Sequence, residues 1–410
     1  MGLRKITYNR IQITHVFLFY WIALVAWQNL GSIALRSGFD LILKVGLILI
    51  LTAFYFWRAR SISKNIVPIL LLAFSMILSL WLSGDAFSGS NLIAYIYPVL
   101  LAFLSFGIGD DFRINKREFL GFLNGVILVT LYASIYAVLF RTEQFLTAFS
   151  LKFAYGNELT SFFYSSHEYG MYLVYAIVAC IVHIEVKRDL PFKKRLPYFA
   201  AILVFVPNLV LTFSRTSMLA MAVIIFVYCF ANARIKLRKW LITAVVIVLI
   251  AVLVSDRLQN LLVLALFKGT GSLGGRNELF GLAIKLFSEG TMSEKLFGYG
   301  LGVRDVFERY ADHGSVHNAY LQVLMYFGAV GLIFFLVLLF GQLYASIRLY
   351  RESKFYSLIF CILLLAAMAL MFTNTAIVFT SPIDSYFLTV IAILVPKYAR
   401  NAMKAGTFET

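Results

Sequence analysis

The residues of this chain that could do chemistry gather around His317-Asn318, where a polar segment ends and an apolar segment begins. A free imidazole titrates near about pH 6.5, so a histidine can accept a proton from a hydroxyl group near neutrality. A histidine at the start of a helix is also commonly a structural cap, and spacing alone leaves both roles open. His313 lies four residues earlier, as in a helical metal pair, but no third ligand follows at a clear spacing. We therefore expect no metal here and treat His317 as a candidate general base, with Asn318 and His313 in support.

Two arginines are candidate ligands for an anion. Arg215 stands in a tight turn between two apolar runs, where an unpaired guanidinium is costly. Arg276 follows two glycines and begins a predicted amphipathic helix that ends near Phe287. The free N–H groups of a helix start favour anions, so both positions suit a phosphate group. The alternatives are an Arg215 that reaches a lipid headgroup and an Arg276 that is a solvated surface charge.

Arg304 and His167 are weaker candidates in the same part of the predicted topology. The glycine-rich stretch 298–302 is not a nucleotide loop, because no strand or crossover surrounds it. The sequence shows neither a serine nucleophile motif nor an Asp-rich metal motif. The residues suit a metal-independent and cofactor-free transfer from a diphosphate leaving group. In that reaction the arginines balance the charge on the diphosphate and the histidine deprotonates an incoming hydroxyl.

A membrane-embedded chain must position these residues. The 410 residues are 61% hydrophobic and only 14% charged, which is too apolar for a soluble globular protein. The three cysteines, Cys180, Cys229 and Cys361, all lie in apolar runs, so no disulfide framework is expected. We predict an all-α protein whose residues 1–410 form one polytopic membrane domain. About twelve spans are expected, near 14–35, 39–57, 66–82, 92–109, 119–140, 169–186, 197–213, 217–231, 240–254, 318–340, 356–379 and 383–395.

The basic residues predict how the spans are oriented. Most of the 36 lysines and arginines, including Lys397 and Arg400, fall in one set of alternate loops and ends. The positive-inside rule then places both termini in the cytoplasm, and the first apolar run is read as a retained span. The net charge of +16 is explained by these anchoring loops, so we predict no nucleic-acid partner.

Two loops are predicted on the outer face. The first, 141–168, is rich in aromatic residues and suits either an interfacial helix or a platform that stacks on sugar rings or covers a lipid cleft. Its aromatic residues are Phe145, Phe149, Phe153, Tyr155, Phe162, Phe163 and Tyr164. The second, 255–317, is the largest polar region of the chain and carries both Arg276 and His317.

With these residues identified, the chain resembles the O-antigen ligase and polysaccharide polymerase superfamily of bacterial envelope proteins. The resemblance covers roughly 200–340 and rests on four segments in order: 214–217, 275–280, 297–302, and 317–321 followed by Gly328 and Gly331. It implies a GT-C-type glycosyltransferase of the inner membrane that acts on its outer face and uses an undecaprenyl-diphosphate-linked glycan. The family's two essential arginines would correspond to Arg215 and Arg276, and its essential histidine to His317. An acidic residue often precedes the first glycine in the family, but Met325 and Tyr326 stand there in this sequence.

The resemblance leaves the acceptor open. A polymerase that joins repeat units into O-antigen, capsule or exopolysaccharide is preferred, because no added soluble domain is visible. A ligase that transfers the glycan to lipid A–core is the alternative, and protein O-oligosaccharyltransferases form a third branch. The implied partners are the lipid-linked donor, the acceptor and membrane lipids, with a flippase and a chain-length regulator as further candidates. A transporter would require related halves and polar residues at mid-bilayer, where only Lys44 is plainly placed.

Overall fold

The structure is a computed structural model that describes residues 66–82, 102–107, 112–149, 158–163, 165–232, 276–300, 316–373 and 387–409, with a few single positions besides. These residues are helical apart from short connections, as predicted for an all-α chain. The α-helices in order are α1 (Ile66–Leu82), α2 (Lys116–Phe140), α3 (Thr142–Phe149), α4 (Ser166–Val186), α5 (Leu196–Leu211), α6 (Arg215–Asn232), α7 (Arg276–Glu289), α8 (Met292–Phe297), α9 (Ala319–Arg348), α10 (Lys354–Thr373) and α11 (Val395–Lys404). Short π-helices form at Phe103–Gly107 and Val390–Leu394.

Several described helices suit a membrane. Four are long and apolar enough to cross one, namely Lys116–Phe140, Ser166–Val186, Ala319–Arg351 and Lys354–Phe372. The apolar helices α1, α5 and α6 are shorter. Helices occur at most of the predicted spans that fall in the described residues. The predicted spans at 14–35, 39–57 and 240–254, and most of 92–109, lie outside them.

Local sequence explains where some helices begin. Asn115 and Glu118 form a capping box at the start of α2, in which each side chain accepts the other residue's backbone N–H at 2.9 and 2.8 Å. Thr291 and Glu294 do the same for α8. These reciprocal bonds satisfy backbone donors that the first turn of a helix leaves open.

The structure corrects the predicted span at 318–340. Helix α9 is not one rod, because Gly328 has a non-helical backbone with φ 67° and ψ −171°. The rings of Tyr320 and Phe335 lie 6.1 Å apart, whereas fifteen residues of continuous helix would separate them by about 22 Å. Residues 319–327, here α9a, therefore fold back beside residues 329–348, here α9b. At about 30 Å in length, α9b alone is long enough to cross a bilayer.

Gly328 permits this reversal for two reasons. Glycine adopts a positive φ at little cost, and a Cβ at this position would lie only 2.3 Å from the backbone of Leu296. The reversal leaves the last carbonyls of α9a without donors in their own helix. Three of these carbonyls accept hydrogen bonds from other segments: Met325 from the Tyr299 N–H at 2.8 Å, Tyr326 from the Ser79 hydroxyl at 2.7 Å, and Phe327 from the Ser75 hydroxyl at 3.1 Å.

Hydrogen bonds and ring contacts define the two ends of the bundle. Tyr169, near the start of α4, donates to Asn208, near the end of α5, at 2.9 Å. Phe119 packs edge-on against Phe360, so the starts of α2 and α10 share the other end. We call the end that contains the starts of α4 and α6 the histidine end, after His167, and the other the opposite end.

Buried polar side chains hold the opposite end together. Lys397 donates to the Phe106 carbonyl at 2.9 Å, and Arg400 donates to Ser346 Oγ at 2.7 Å and to Gln342. The sequence assigned these two basic residues to a cytoplasmic flank, but both side chains are buried. They are part of the helix packing because each finds an acceptor on a neighbouring segment.

The aromatic stretch within 141–168 divides between two environments. Helix α3 forms in the stretch for which an interfacial helix was one of the two predictions, and its Leu146 is exposed. Phe162 and Phe163 are buried, with ring centroids 4.6 Å apart, and Phe163 also stacks on Tyr169. These two rings belong to the core, so the sugar-stacking platform is wrong for them. Phe153, Tyr155 and Tyr164 lie outside the described residues, as does the side chain of Phe149.

Candidate functional site

The turn before α6 presents Arg215 as the first residue of that helix. Ser214 caps the helix: its Oγ accepts the Ser217 N–H at 3.4 Å and lies 2.9 Å from the Ser217 hydroxyl. The same Oγ lies 3.0 Å from Nδ1 of His167 on α4. One histidine is thus hydrogen-bonded to the cap that orients Arg215, which is half-buried.

Gly170 allows this close approach of α4 and α6. A Cβ built at Gly170 would lie 2.5 Å from Ser217 Oγ and 3.1 Å from Ser214 Cβ. Sequence reasoning used the 214–217 segment for the resemblance, but it missed Gly170 and did not identify Ser214 and Ser217 as residues that position Arg215. A signal was present, because small residues such as glycine and serine are enriched where membrane helices pack closely.

His317 lies between two firmly held neighbours. The helix cap is Asn318, not His317: its buried Oδ1 accepts the N–H groups of Tyr320 and Leu321, each at 3.0 Å. On the other side, the Val316 N–H donates to Oε1 of Gln322 at 3.3 Å. The alternative in which His317 is the structural cap is therefore wrong, and its half-buried imidazole stands between two hydrogen-bonded neighbours.

Backbone strain is concentrated near the candidate residues. In the part of the chain that the structure describes, the non-glycine residues with positive φ are Ser161 at 56°, Phe213 at 49° and His317 at 53°. Phe213 immediately precedes the Ser214 cap, and Ser161 donates to the Ala133 carbonyl at 2.6 Å near the end of α2. Each such conformation costs about 1–3 kcal/mol and is typical of functional sites.

Tyrosine contacts on α10 give the relative heights of α4 and α6. Tyr175 of α4 donates to the Leu363 carbonyl at 3.2 Å. Gly170 precedes Tyr175 by five residues, so it lies about 7.5 Å closer to the histidine end along the axis of α4. On the antiparallel α10 that height corresponds to Met368. By this estimate from the helix rise, the first turn of α6, which touches Gly170, lies within about one helix turn of Met368 in height.

The first turn of α9a lies at the same height. The Tyr320 hydroxyl donates to the Met368 carbonyl at 3.0 Å, and Tyr320 follows His317 by three residues. His317 and Arg215 are therefore close to one level of the bundle, at the histidine end. Helices α6 and α9 both pack against α10.

The predicted amphipathic helix at Arg276 is confirmed as α7. Leu279, three residues into α7, belongs to the same apolar cluster as Val316, the residue before His317. The chain therefore brings the start of α7 and the start of α9a to one cluster. The Arg276 side chain and the whole of Arg304 and His313 lie outside the described residues.

Among the described residues, no group of three or more His, Cys, Asp or Glu side chains could hold a metal ion. Metal-independent chemistry remains a prediction.

Fold and site together define an integral membrane protein of packed apolar helices, with polar and strained helix starts collected at one end. Residues 199–336 match the family model described as O-antigen ligase. The matched segment begins in α5, contains Arg215, Arg276 and His317, and ends in α9b. It confirms the resemblance to the O-antigen ligase and polymerase superfamily and indicates a glycosyltransferase-like enzyme of the inner membrane. No curated protein matches the chain.

Proposed function

We propose that this protein is a polymerase that joins undecaprenyl-diphosphate-linked oligosaccharide repeat units into O-antigen, capsular polysaccharide or exopolysaccharide. The active site would face the periplasm at the outer surface of the inner membrane. The observation that carries the proposal is the strained and half-buried backbone position of His317 inside the segment that matches O-antigen ligase, near the estimated height of the Arg215 turn.

His317 would act as the general base. The oxygen of an acceptor sugar hydroxyl attacks the anomeric carbon of the donor glycan, and the proton of that hydroxyl passes to the imidazole. The bond between the anomeric carbon and the phosphate oxygen breaks, so undecaprenyl diphosphate leaves as an anion. Atoms and charge balance without a metal or redox partner, as in a GT-C-type glycosyltransferase.

Arg215 and Arg276 would bind the departing diphosphate. Each begins an α-helix, so backbone N–H groups add to the attraction of the guanidinium for phosphate. His167 supports Arg215 through the Ser214 cap, and Asn318 supports His317 as the cap of α9a. Arg304 and His313 remain candidate supporting residues, and a flippase and a chain-length regulator remain candidate partners.

The second candidate function is a ligase that transfers the finished glycan to lipid A–core. It is favoured by the description of the matched family. The proposed donor and the residues that would act on it are shared, and only the acceptor differs.

Reconstitution distinguishes the candidates. Purified protein in proteoliposomes receives lipid-linked repeat units, alone or with lipid A–core. We expect a ladder of glycans from repeat units alone. Products that form only when lipid A–core is present would contradict the polymerase proposal and support the ligase. No glycan product in either mixture, with labelled donor crossing the bilayer, would contradict both and favour a transporter.

A further inference from the structure

We infer that the hydroxyl groups of Tyr320 and Ser79 are positioning groups for His317, because they fix the two ends of the half-helix α9a. The inference rests on the proposed function in one respect, since it takes His317 as the general base. The observations behind it concern α9a itself and the contacts at each of its ends.

Helix α9a is too short to hold its own place. Residues 319–327 form little more than two turns, and helices of that length are marginal without tertiary contacts. At Gly328 the chain reverses, so α9b does not continue the axis of α9a and does not fix its direction. The position of α9a therefore depends on tertiary contacts. Val323 and Met325 are buried in apolar clusters, which are non-directional, and the groups at its two ends add directional hydrogen bonds.

Tyr320 fixes the start of α9a. Its ring lies 6.1 Å from the ring of Phe335 on α9b and 6.5 Å from that of Phe372 on α10. These apolar contacts are non-directional, whereas the hydroxyl binds one particular acceptor, the Met368 carbonyl. The hydroxyl thus sets the height of α9a on α10, three residues from His317.

Ser79 is one of three donors that hold the end of α9a, with Ser75 and the Tyr299 N–H. Its fully buried hydroxyl donates to the Tyr326 carbonyl at 2.7 Å, and Ser75 makes a parallel bond to Phe327 at 3.1 Å. Both carbonyls belong to the last turn, where no donor is available within α9a. Within a membrane protein an unsatisfied carbonyl is unfavourable, so these bonds hold the last turn against α1.

A small rotation of α9a about Gly328 displaces the residues next to His317 by a distance that matters for catalysis. Helix α9a is about 12 Å long, so a rotation of about 5° at Gly328 moves its first residue by about 1 Å. A misplacement of about 1 Å at a reacting group can lower a rate by about 100-fold. Loss of either hydroxyl should therefore change the chemical step more than it changes donor binding.

The chain offers matched controls for both substitutions. Tyr320→Phe removes one phenol that donates to α10, and Tyr175→Phe removes another, whose acceptor is Leu363 on the same helix. Ser79→Ala removes a buried hydroxyl of α1 that donates to a different helix, α9a. Thr130→Val removes a buried hydroxyl that donates within its own helix, to Val126 at 2.8 Å.

Steady-state polymerisation tests the inference. We expect Tyr320→Phe and Ser79→Ala each to lower kcat by about tenfold or more, with the KM for lipid-linked donor unchanged and thermal unfolding close to that of the controls. Tyr175→Phe and Thr130→Val should stay within about twofold of the parent. An equal loss in all four variants, or a parental kcat in both Tyr320→Phe and Ser79→Ala, would overturn the positioning role.

Thiol cross-linking tests the geometry without any substrate. In a chain whose native cysteines are replaced, Tyr320→Cys with Phe335→Cys should cross-link through a short bifunctional reagent. The matched pair Ile333→Cys with Arg348→Cys has the same fifteen-residue separation within α9b and should not. Failure of the first pair would contradict the fold-back on which the inference depends.

His317→Asn separates this inference from the proposed function. Full activity in that variant would show that His317 is not the general base, whatever the activity of Tyr320→Phe and Ser79→Ala. If His317→Asn is inactive while Tyr320→Phe and Ser79→Ala keep the parental kcat, the proposed function stands and only the positioning role falls.

Discussion

The two ends of the bundle both bury polar groups among apolar helices, but they do so differently. At the opposite end, Lys397 and Arg400 donate to fixed acceptors, and the positive-φ residue described there is Gly406, where that conformation costs little. At the histidine end, His167 and His317 are half-buried, and His317 holds a strained backbone. The opposite end therefore uses these polar groups for helix packing, whereas the histidine end combines partial exposure with backbone strain, a combination typical of functional sites.

The largest expected effect comes from replacing His317 by asparagine. Asparagine tolerates a positive φ, so the backbone and the Asn318 cap should be preserved while the base is lost. We expect polymerisation to fall by about 100-fold to 10,000-fold with little change in the free energy of unfolding. Product ladders and thermal unfolding of the same preparations measure both quantities. Activity near the parental rate would contradict the role of His317 as general base, and with it the assignment of the active site to the histidine end.

Removing the charge of Arg215 should have the next largest effect. Arg215→Ala leaves the Ser214 cap in place and removes the guanidinium, so kcat/KM for the lipid-linked donor should fall by about 100-fold. Arg215→Lys keeps the charge without the two-pronged geometry and should recover only part of the activity. Unchanged kinetics in Arg215→Ala would favour a side chain that only reaches lipid headgroups.

Two buried glutamines on α9 provide a matched test of the comparison. Gln342 accepts from Arg400 at the opposite end, and Gln322 accepts from the Val316 N–H beside His317. Gln342→Leu should lower the free energy of unfolding by about 1–3 kcal/mol while folded protein keeps its kcat. Gln322→Leu should lower kcat more than stability, because it releases the backbone before His317. Chemical unfolding and single-turnover rates measure the pair, and identical profiles for both variants would contradict the division between the ends.

The smallest effect is expected from Gly170→Ala. The added methyl group would meet Ser217 and force α4 and α6 apart by a few tenths of an ångström or more. We expect stability to fall by about 1–3 kcal/mol, and donor kcat/KM to fall by several-fold through Arg215. Gly121→Ala is the control, since a Cβ at that glycine of α2 meets nothing within 4 Å. Equal effects of the two alanines would show that the approach of α4 to α6 is not critical.

Much of the described architecture could be predicted from local sequence. Apolar runs of sufficient length predicted most of the described helices, and the amphipathic pattern after Arg276 predicted α7. The candidate residues Arg215, Arg276 and His317 came from charge, spacing and resemblance, and they fall within the matched segment. These features were accessible because hydrophobic periodicity and helix-start residues act over a few neighbouring positions.

Other features depended on segments far apart in the chain. The sequence from Ala319 to Arg348 is apolar and lacks proline, so it predicted one continuous helix. Its reversal at Gly328 is stabilised by Ser75 and Ser79, about 250 residues earlier. The burial of Arg400 likewise depends on acceptors supplied by α9.

His317-Asn318 shows most clearly which features follow from local sequence and which depend on tertiary contacts. Sequence alone determined that an imidazole and a good capping residue stand where an apolar helix begins. Only the tertiary structure decided that Asn318 is the cap, that His317 takes the strained conformation, and that α9a folds back beside α9b. The physical reason is that a helix cap is a local hydrogen-bond choice, whereas the direction of a short half-helix is set by distant acceptors and donors.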